Sequence, residues 1–286
     1  MNPPLRYRLL KAYVKLGLQV FFKKWQATGL QNIPKEGPFI FVPNPQNAFL
    51  EALLVVCGSP RNPWFIARGD VFKKPWAVKL LTFMRIKPLF RFRDGLEAMR
   101  QNDRYMNECI DVLKQGECIL IFVEGNHNEP WTTRPLQRGF AHMALQYIQR
   151  TGKNINLIPV GYHYESHSTF RSRVLVQYGE PISVSKTIDG LTDQREKLMA
   201  LANATGEKLR SIILTVPKDE DYPERKNFLL QNRQRKTDLV DQLQADREMM
   251  SAWKKGDKGH ESNQPSVFRW FNPILLYGRL VHLIPH

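Results

Sequence analysis

The sequence predicts an α/β fold: a central, mostly parallel sheet flanked by helices, with an amphipathic N-terminal helix and a helical C-terminal extension. Three observations carry this. Apolar runs of strand length alternate with helix-length amphipathic stretches from about residue 38 to 215, the pattern of strand–helix crossovers. The run CILIFV (118–123) is apolar without alternation, as in a strand covered on both faces. Punctuation fits as well: Asp94 precedes the helix expected at about 95–115, and Gly116 follows it.

Residues 5–25, LRYRLLKAYVKLGLQVFFKKW, place Leu9, Leu10, Tyr13, Val14, Leu16, Val20 and Phe21 mostly at helical spacing, with Arg6, Arg8, Lys11, Lys15, Lys23 and Lys24 between them. That pattern suits a helix lying in a membrane interface, its cations near headgroups. PFIFV (38–42) reads as a buried strand, 47–57 as a helix, WFIAR (64–68) as a strand, 75–84 as a short helix and IKPLFRF (86–92) as a strand. After CILIFV come a helix at about 137–150 and the strands NLIPVGYHY (156–164) and VLVQYG (174–179). Thr192 caps a helix running to about 215, and 224–253 reads as one long charged helix. A polar linker (254–265) leads to an apolar, aromatic tail suited to an interface, which stops abruptly, as if cut from something longer. The expected organisation is an interface helix (1–28), a catalytic-type domain (29–216) and a helical extension with linker and tail (217–286).

Composition narrows the function. The 286 residues are 42% hydrophobic and 24% charged, enough for one large domain with appendages. Lys and Arg number 42 against 27 Asp and Glu, a formal net charge of +15. Such a balance suits a nucleic acid, an anionic membrane surface or anionic substrates. No helix-turn-helix, zinc finger or RNA-stacking signature occurs, so nucleic acid is set aside. Cys57, Cys109 and Cys118 lack metal spacing and read as reduced core residues of a cytosolic protein. No apolar run reaches the roughly 18 residues of a spanning helix, and no signal peptide is evident.

Four islands stand at predicted strand ends, where open α/β sheets bind ligands: NPQNAFLEA (44–52), KPLFRFRDG (87–95), FVEGNHNE (122–129) followed by RPLQRGFA (134–141), and LIPVGYHY (157–164). In order and content they resemble the glycerol-3-phosphate and lysophosphatidic acid acyltransferase family, over about residues 25–185. PFIFVPNPQNAFLEALL is similar to its first motif, where a histidine and an aspartate lie four or five residues apart. FVEGNHNE resembles the FPEGTR motif, RPLQRG the basic turn behind it, and LIPVG the I-P-V motif. KPLFRFR resembles the motif ending in a substrate-contacting arginine.

The resemblance implies acyl transfer from acyl-CoA or acyl carrier protein to the hydroxyl of a glycerophosphate acceptor. The work would take place at the cytoplasmic face of a membrane phospholipid surface, with no metal or organic cofactor. The family's histidine is the general base and its aspartate orients the imidazole. Here Pro45 occupies the histidine position and offers no side-chain proton acceptor. Glu51 keeps the carboxylate but lengthens it by one methylene. His127 is the candidate surrogate base or phosphate contact; the other histidines read as structural (His142) or surface (His163, His167).

The substrate-binding half is better kept: Arg91, Glu124, Gly125, Asn126 and Arg138 match it. Arg91 and Arg93 alternate on a strand, so one of them faces the site. Asn126 and His127 stand for the usual Thr-Arg, which removes a cation; Arg134 is a candidate replacement. Two readings stay open: a membrane-associated O-acyltransferase of phospholipid biosynthesis, impaired at its base, or a non-catalytic lipid- or partner-binding member of the same fold.

Overall fold

The computed structural model describes residues 4–44, 48–68, 75–89, 96–124, 131–166 and 169–257. In chain order these form α1 (Leu5–Phe21), β1 (Lys24–Thr28), β2 (Phe39–Pro43), α2 (Ala48–Gly58), β3 (Trp64–Arg68), α3 (Pro75–Phe83) and β4 (Ile86–Leu89). Next come α4 (Leu96–Lys114), β5 (Cys118–Leu120), α5 (Gly139–Thr151), β6 (Asn156–Tyr164), β7 (Arg173–Tyr178) and β8 (Ile182–Ser183). The one-turn α6 (Val184–Thr187), then α7 (Gln194–Ile212), α8 (Tyr222–Asn232) and α9 (Leu239–Ala252) complete the described chain.

The strands make one sheet in the order β1-β7-β6-β2-β5-β3-β4, with β8 added beside β6. All pairings are parallel except β6 with β7 and β6 with β8. The mostly parallel sheet flanked by helices is therefore present. Strand β2 explains why its sequence is uniformly apolar. Ile40 and Val42 pack on one face with Ile110, Leu113, Phe140 and Met143 of α4 and α5. Phe39 and Phe41 pack on the other with Leu18, Leu54 and Val55 of α1 and α2. A central parallel strand must satisfy two apolar layers at once.

Four local expectations are corrected. The helix expected to residue 25 ends at Phe21; Phe22 turns extended (φ −94°, ψ 130°), and Lys24–Thr28 pair in parallel with β7. The single helix expected over 224–253 is two, α8 and α9. Asp238 starts the second by accepting from the N–H groups of Val240 and Asp241, which satisfies donors a helix start leaves open. The fold-back brings Arg233 to Asp246, where Nη2 lies 2.5 Å from Oδ2. His163, read as a surface residue, is only 3% exposed, because β6 runs on to Tyr164; its Nε2 lies 2.8 Å from the same Asp246 carboxylate. These groups pin the helical extension to the sheet, and removing one partner would strand a buried charge. Finally, CILIFV is regular strand only over Cys118–Leu120.

Cys57, Cys109 and Cys118 are free and buried. Burial pushes the Cys109 and Cys118 thiols up to about 12, so both stay protonated and unreactive near neutral pH. The apolar tail and most of the linker fall beyond the described residues.

Candidate functional site

Strands β2 and β5 are parallel neighbours, so their C-terminal ends open on the same edge of the sheet. At the end of β2, the Asn44 side chain is buried, and neither amide atom has a hydrogen-bond partner among the described residues. The chain then passes through 45–47 into α2. Pro45, at the expected base position, lies outside the described residues, as do Arg91, Arg93, Gly125, Asn126 and His127.

Glu51 sits in the first turn of α2, where the helix dipole favours a negative charge. It is 0% exposed. Its surroundings are aromatic: the Tyr162 hydroxyl donates to the Glu51 carbonyl at 3.3 Å, and the Tyr162 and Tyr164 rings stack with centroids 6.4 Å apart. Burial, and after it the neighbouring Glu51 charge, hold both phenols well above their usual range. This carboxylate belongs to the packed layer between α2 and β6.

The end of β5 differs. Val123 N–H donates to the Pro43 carbonyl at 3.2 Å, which places Glu124 beside the end of β2. Glu124 is 4% exposed, and neither carboxylate oxygen has a hydrogen-bond partner among the described residues. Burial pushes it up to about 7, against a smaller opposing pull from the backbone N–H and guanidinium of Arg134. Burial outweighs that pull, because desolvation disfavours the charged form of a carboxyl.

The segment 131–138 returns beneath it. Gln137 N–H donates to the Val123 carbonyl at 2.6 Å, and Val216 N–H to the Trp131 carbonyl at 2.6 Å. Trp131 is buried among Leu175, Tyr222, Leu229 and Leu243, with the Arg233 guanidinium 5.3 Å from its ring centroid. The C-terminal extension thus anchors the turn that carries the basic residues.

Between this turn and α7 lies a pocket of about 280 Å³, lined by Glu124, Arg134, Arg138, Asn203, Gly206 and Arg210 among others. Glu124, Arg134 and Arg138, expected from the motif order, meet there. Glu51 does not line it. Asn203 and Arg210, on α7, were not among the residues expected from sequence. One signal pointed to them: Gly206 lies inside α7, where glycine costs about 1 kcal/mol against alanine and marks a close approach. A Cβ there would meet the Arg210 Nη1 at 3.3 Å and the Leu136 Cδ1 at 3.8 Å. Among the described residues, no group of three or more His, Cys, Asp or Glu is placed to hold a metal ion. Guanidiniums beside a buried carboxyl suit an anionic ligand.

A family model described as Acyltransferase matches residues 24–163. The chain is 30% identical to glycerol-3-phosphate O-acyltransferase 1 of Saccharomyces cerevisiae over 108 residues, 36% of this chain and 14% of that protein. It is 26% identical to 1-acyl-sn-glycerol-3-phosphate acyltransferase of Borreliella burgdorferi over 209 residues, 73% of this chain and 76% of that one. The crystal structure of the 1-acyl-sn-glycerophosphate acyltransferase of Thermotoga maritima shares the fold: TM-score 0.52 and 18% identity, covering 72% of this chain and 77% of that one. The matched stretch spans 26% or less of the yeast relatives' length. Given the motif order, the strand-end geometry and these matches together, the chain belongs to the glycerol-3-phosphate and 1-acylglycerol-3-phosphate acyltransferase family.

Proposed function

We propose that this protein works at a membrane surface, holds a phosphorylated glycerol acceptor, and lacks the general base with which its family deprotonates that acceptor. One observation carries the reading: the carboxylate of the first motif, Glu51, is sealed against Tyr162 and Tyr164, and the position paired with it is Pro45. A base–orienter pair needs an acceptor nitrogen and a carboxylate held against it. The position has neither an imidazole nor an aspartate.

Surface association is supported by α1. It packs inward through Tyr7 and Leu18 and leaves Leu5, Leu9, Tyr13, Leu16 and Val20 exposed along one stripe, with Arg6, Arg8 and Lys15 exposed on the same helix. On α3, Trp76, Leu80 and Phe83 are exposed at helical spacing as well. No described helix is long and apolar enough to cross a membrane, so the expected mode is interfacial, on the cytoplasmic face. The acyl donor in this reading is acyl-CoA or acyl carrier protein.

A second reading is favoured by Glu124. A carboxyl pushed up to about 7 without donors has the poise of a general base at neutral pH. It would let the chain transfer acyl groups without the histidine.

The test is acyl transfer from a long-chain acyl-CoA to glycerol 3-phosphate and to lysophosphatidic acid, with the chain bound to anionic vesicles. The unaltered chain should stay at background, and the Pro45→His/Glu51→Asp double variant should gain about a hundredfold to ten-thousandfold, the worth of a positioned base. Turnover by the unaltered chain overturns the first reading. If that turnover then disappears in Glu124→Gln, the second reading holds.

A further inference from the structure

The geometry points to the α8–α9 extension as an acid-released clasp on the 131–138 turn: His163 is the group whose protonation opens it, and Trp131 is the joint through which the turn follows. Two of its members, Arg233 and Asp246, lie outside the segment matched by the family model.

One carboxylate holds the extension to the sheet, and both its oxygens are already used. Asp246 Oδ1 accepts from Arg233 Nε at 3.2 Å and from Gln242 Nε2 at 2.9 Å. Its Oδ2 accepts from His163 Nε2 at 2.8 Å and from Arg233 Nη2 at 2.5 Å. That bond sets the neutral ring as its Nε2–H tautomer and leaves Nδ1 without a partner among the described residues. A proton arriving at Nδ1 makes a donor with no acceptor, in a place closed to water.

The proton also brings a further cation into a crowded set. Among the described residues, the imidazole faces one anion, Asp246, and two cations, Arg233 and Arg247. Arg247, on α9, is held at the end of α7, donating to the carbonyls of Ser211 and Ile213 at 2.7 Å each. Glu165, just past β6, cannot take the new charge. Its carboxylate already holds Arg173 at 3.1 Å and Arg235 at 2.7 Å, and its carbonyl accepts from Arg233 Nη1 at 3.0 Å.

The same guanidinium supports the turn. Arg233 lies 5.3 Å from the Trp131 ring centroid, and the ring is buried among Tyr222 and Leu229 of α8 and Leu239 and Leu243 of α9. Trp131 has φ 57°, a left-handed backbone that a bulky residue keeps only while its surroundings enforce it. Once the extension lets go, nothing opposes the relaxation of that strain, and the turn carrying Arg134 and Arg138 loses its anchor.

The sign follows from the charges. Burial holds the His163 imidazole below its ordinary 6.5; the bond to Asp246 opposes this and the two guanidiniums add to it. In the window below 6.5 the released ring binds a proton that the clasped ring refuses, so the clasp is at full strength above it and weakens as pH falls. Against the push of burial, His163 and Arg233 hold Asp246 below its ordinary 3.8, so the carboxylate stays ionised while this happens.

Hydrogen exchange of the full chain in detergent tests this, read as protection factors so that the intrinsic pH dependence of exchange drops out. Between pH 7.5 and pH 5, residues 222–252 and 131–138 should lose protection severalfold and together, while β2 and β5 keep theirs. His163→Gln keeps a donor for Asp246 but cannot titrate; it should leave both segments protected at pH 5. Asp246→Asn removes the shared anion and should expose both at pH 7.5, at least as far as the unaltered chain is exposed at pH 5. Four results would each overturn the inference: equal protection at the two pH values; a loss that persists in His163→Gln, which would trace it to another group such as Glu124; full protection of Asp246→Asn at pH 7.5; or opening of 222–252 while 131–138 stays closed. No substrate enters these readouts, so acceptor binding and turnover are tested separately.

Discussion

Glu51 and Glu124 follow the ends of neighbouring parallel strands, and both are almost fully buried. Glu51 is enclosed by α2 and the tyrosine pair: Tyr162 donates to its backbone carbonyl and Tyr164 to its side chain. Glu124 meets only the weaker pull of Arg134 and borders a pocket lined by guanidiniums. Burial is therefore not what separates a structural carboxylate from a working one. The separation lies in whether its lone pairs are already used. On the proposed reading, the strand end with the family's catalytic position serves packing, and the strand end beside it serves binding.

Several perturbations would break or sharpen this contrast. The largest expected effect is the gain in acyl transfer in the Pro45→His/Glu51→Asp double variant, since it supplies the base that the proposed reading finds missing. Next is the loss of glycerol 3-phosphate affinity in Arg210→Gln, expected to be tenfold or more.

Stability should respond oppositely at the two carboxylates. Glu51→Ala opens a void beside the tyrosines and removes the carboxylate that Tyr164 meets, while the backbone carbonyl that Tyr162 meets remains. It should cost about 2–4 kcal/mol by denaturant melts, in the range of buried truncations. Glu124→Gln removes a burial penalty instead. The folded chain holds Glu124 near 7, above its ordinary 4.5. The folded state is thus favoured by a bound proton: that contribution is complete below pH 4.5 and is lost as pH rises through 7. Relative to the unaltered chain, Glu124→Gln should be more stable at pH 8 than at pH 4.5, by up to about 3 kcal/mol. A flat difference between the two pH values would place Glu124 in an ordinary, solvated setting.

The smallest effect is on the ligand's pH dependence. Above pH 7 the phosphate is already a dianion, its second ionisation lying near 6. Ionised Glu124 then adds a like charge, and affinity for glycerol 3-phosphate should fall a few-fold between pH 7 and 8.5. Glu124→Gln should abolish that fall.

Much of this arrangement was legible from sequence because it is local. CILIFV read as a strand covered on both faces, PFIFV and NLIPVGYHY as further strands, and the motif order placed Glu124, Arg134 and Arg138 at or just past a strand end. What was not legible is made by contacts far apart in the chain. His163 looked like a surface residue because its partner, Asp246, lies 83 positions away. The break before Asp238 was hidden by charged residues that suit either one long helix or two. Arg210 reads as one more cation on an amphipathic helix, and only Gly206, four residues earlier, hinted at what it folds against. Local patterning sets elements; the pairing of charges is decided by how those elements pack.

The most direct test of the contrast is a carbon-13 NMR titration of the glutamate side-chain carboxyls, with and without glycerol 3-phosphate. One carboxyl should titrate near pH 7, should vanish in Glu124→Gln, and should shift upward when the ligand's dianion occupies the pocket. A Glu124 carboxyl that titrates in the ordinary glutamate range, or near 7 without moving on addition of glycerol 3-phosphate, would contradict the claim that this strand end keeps the working site.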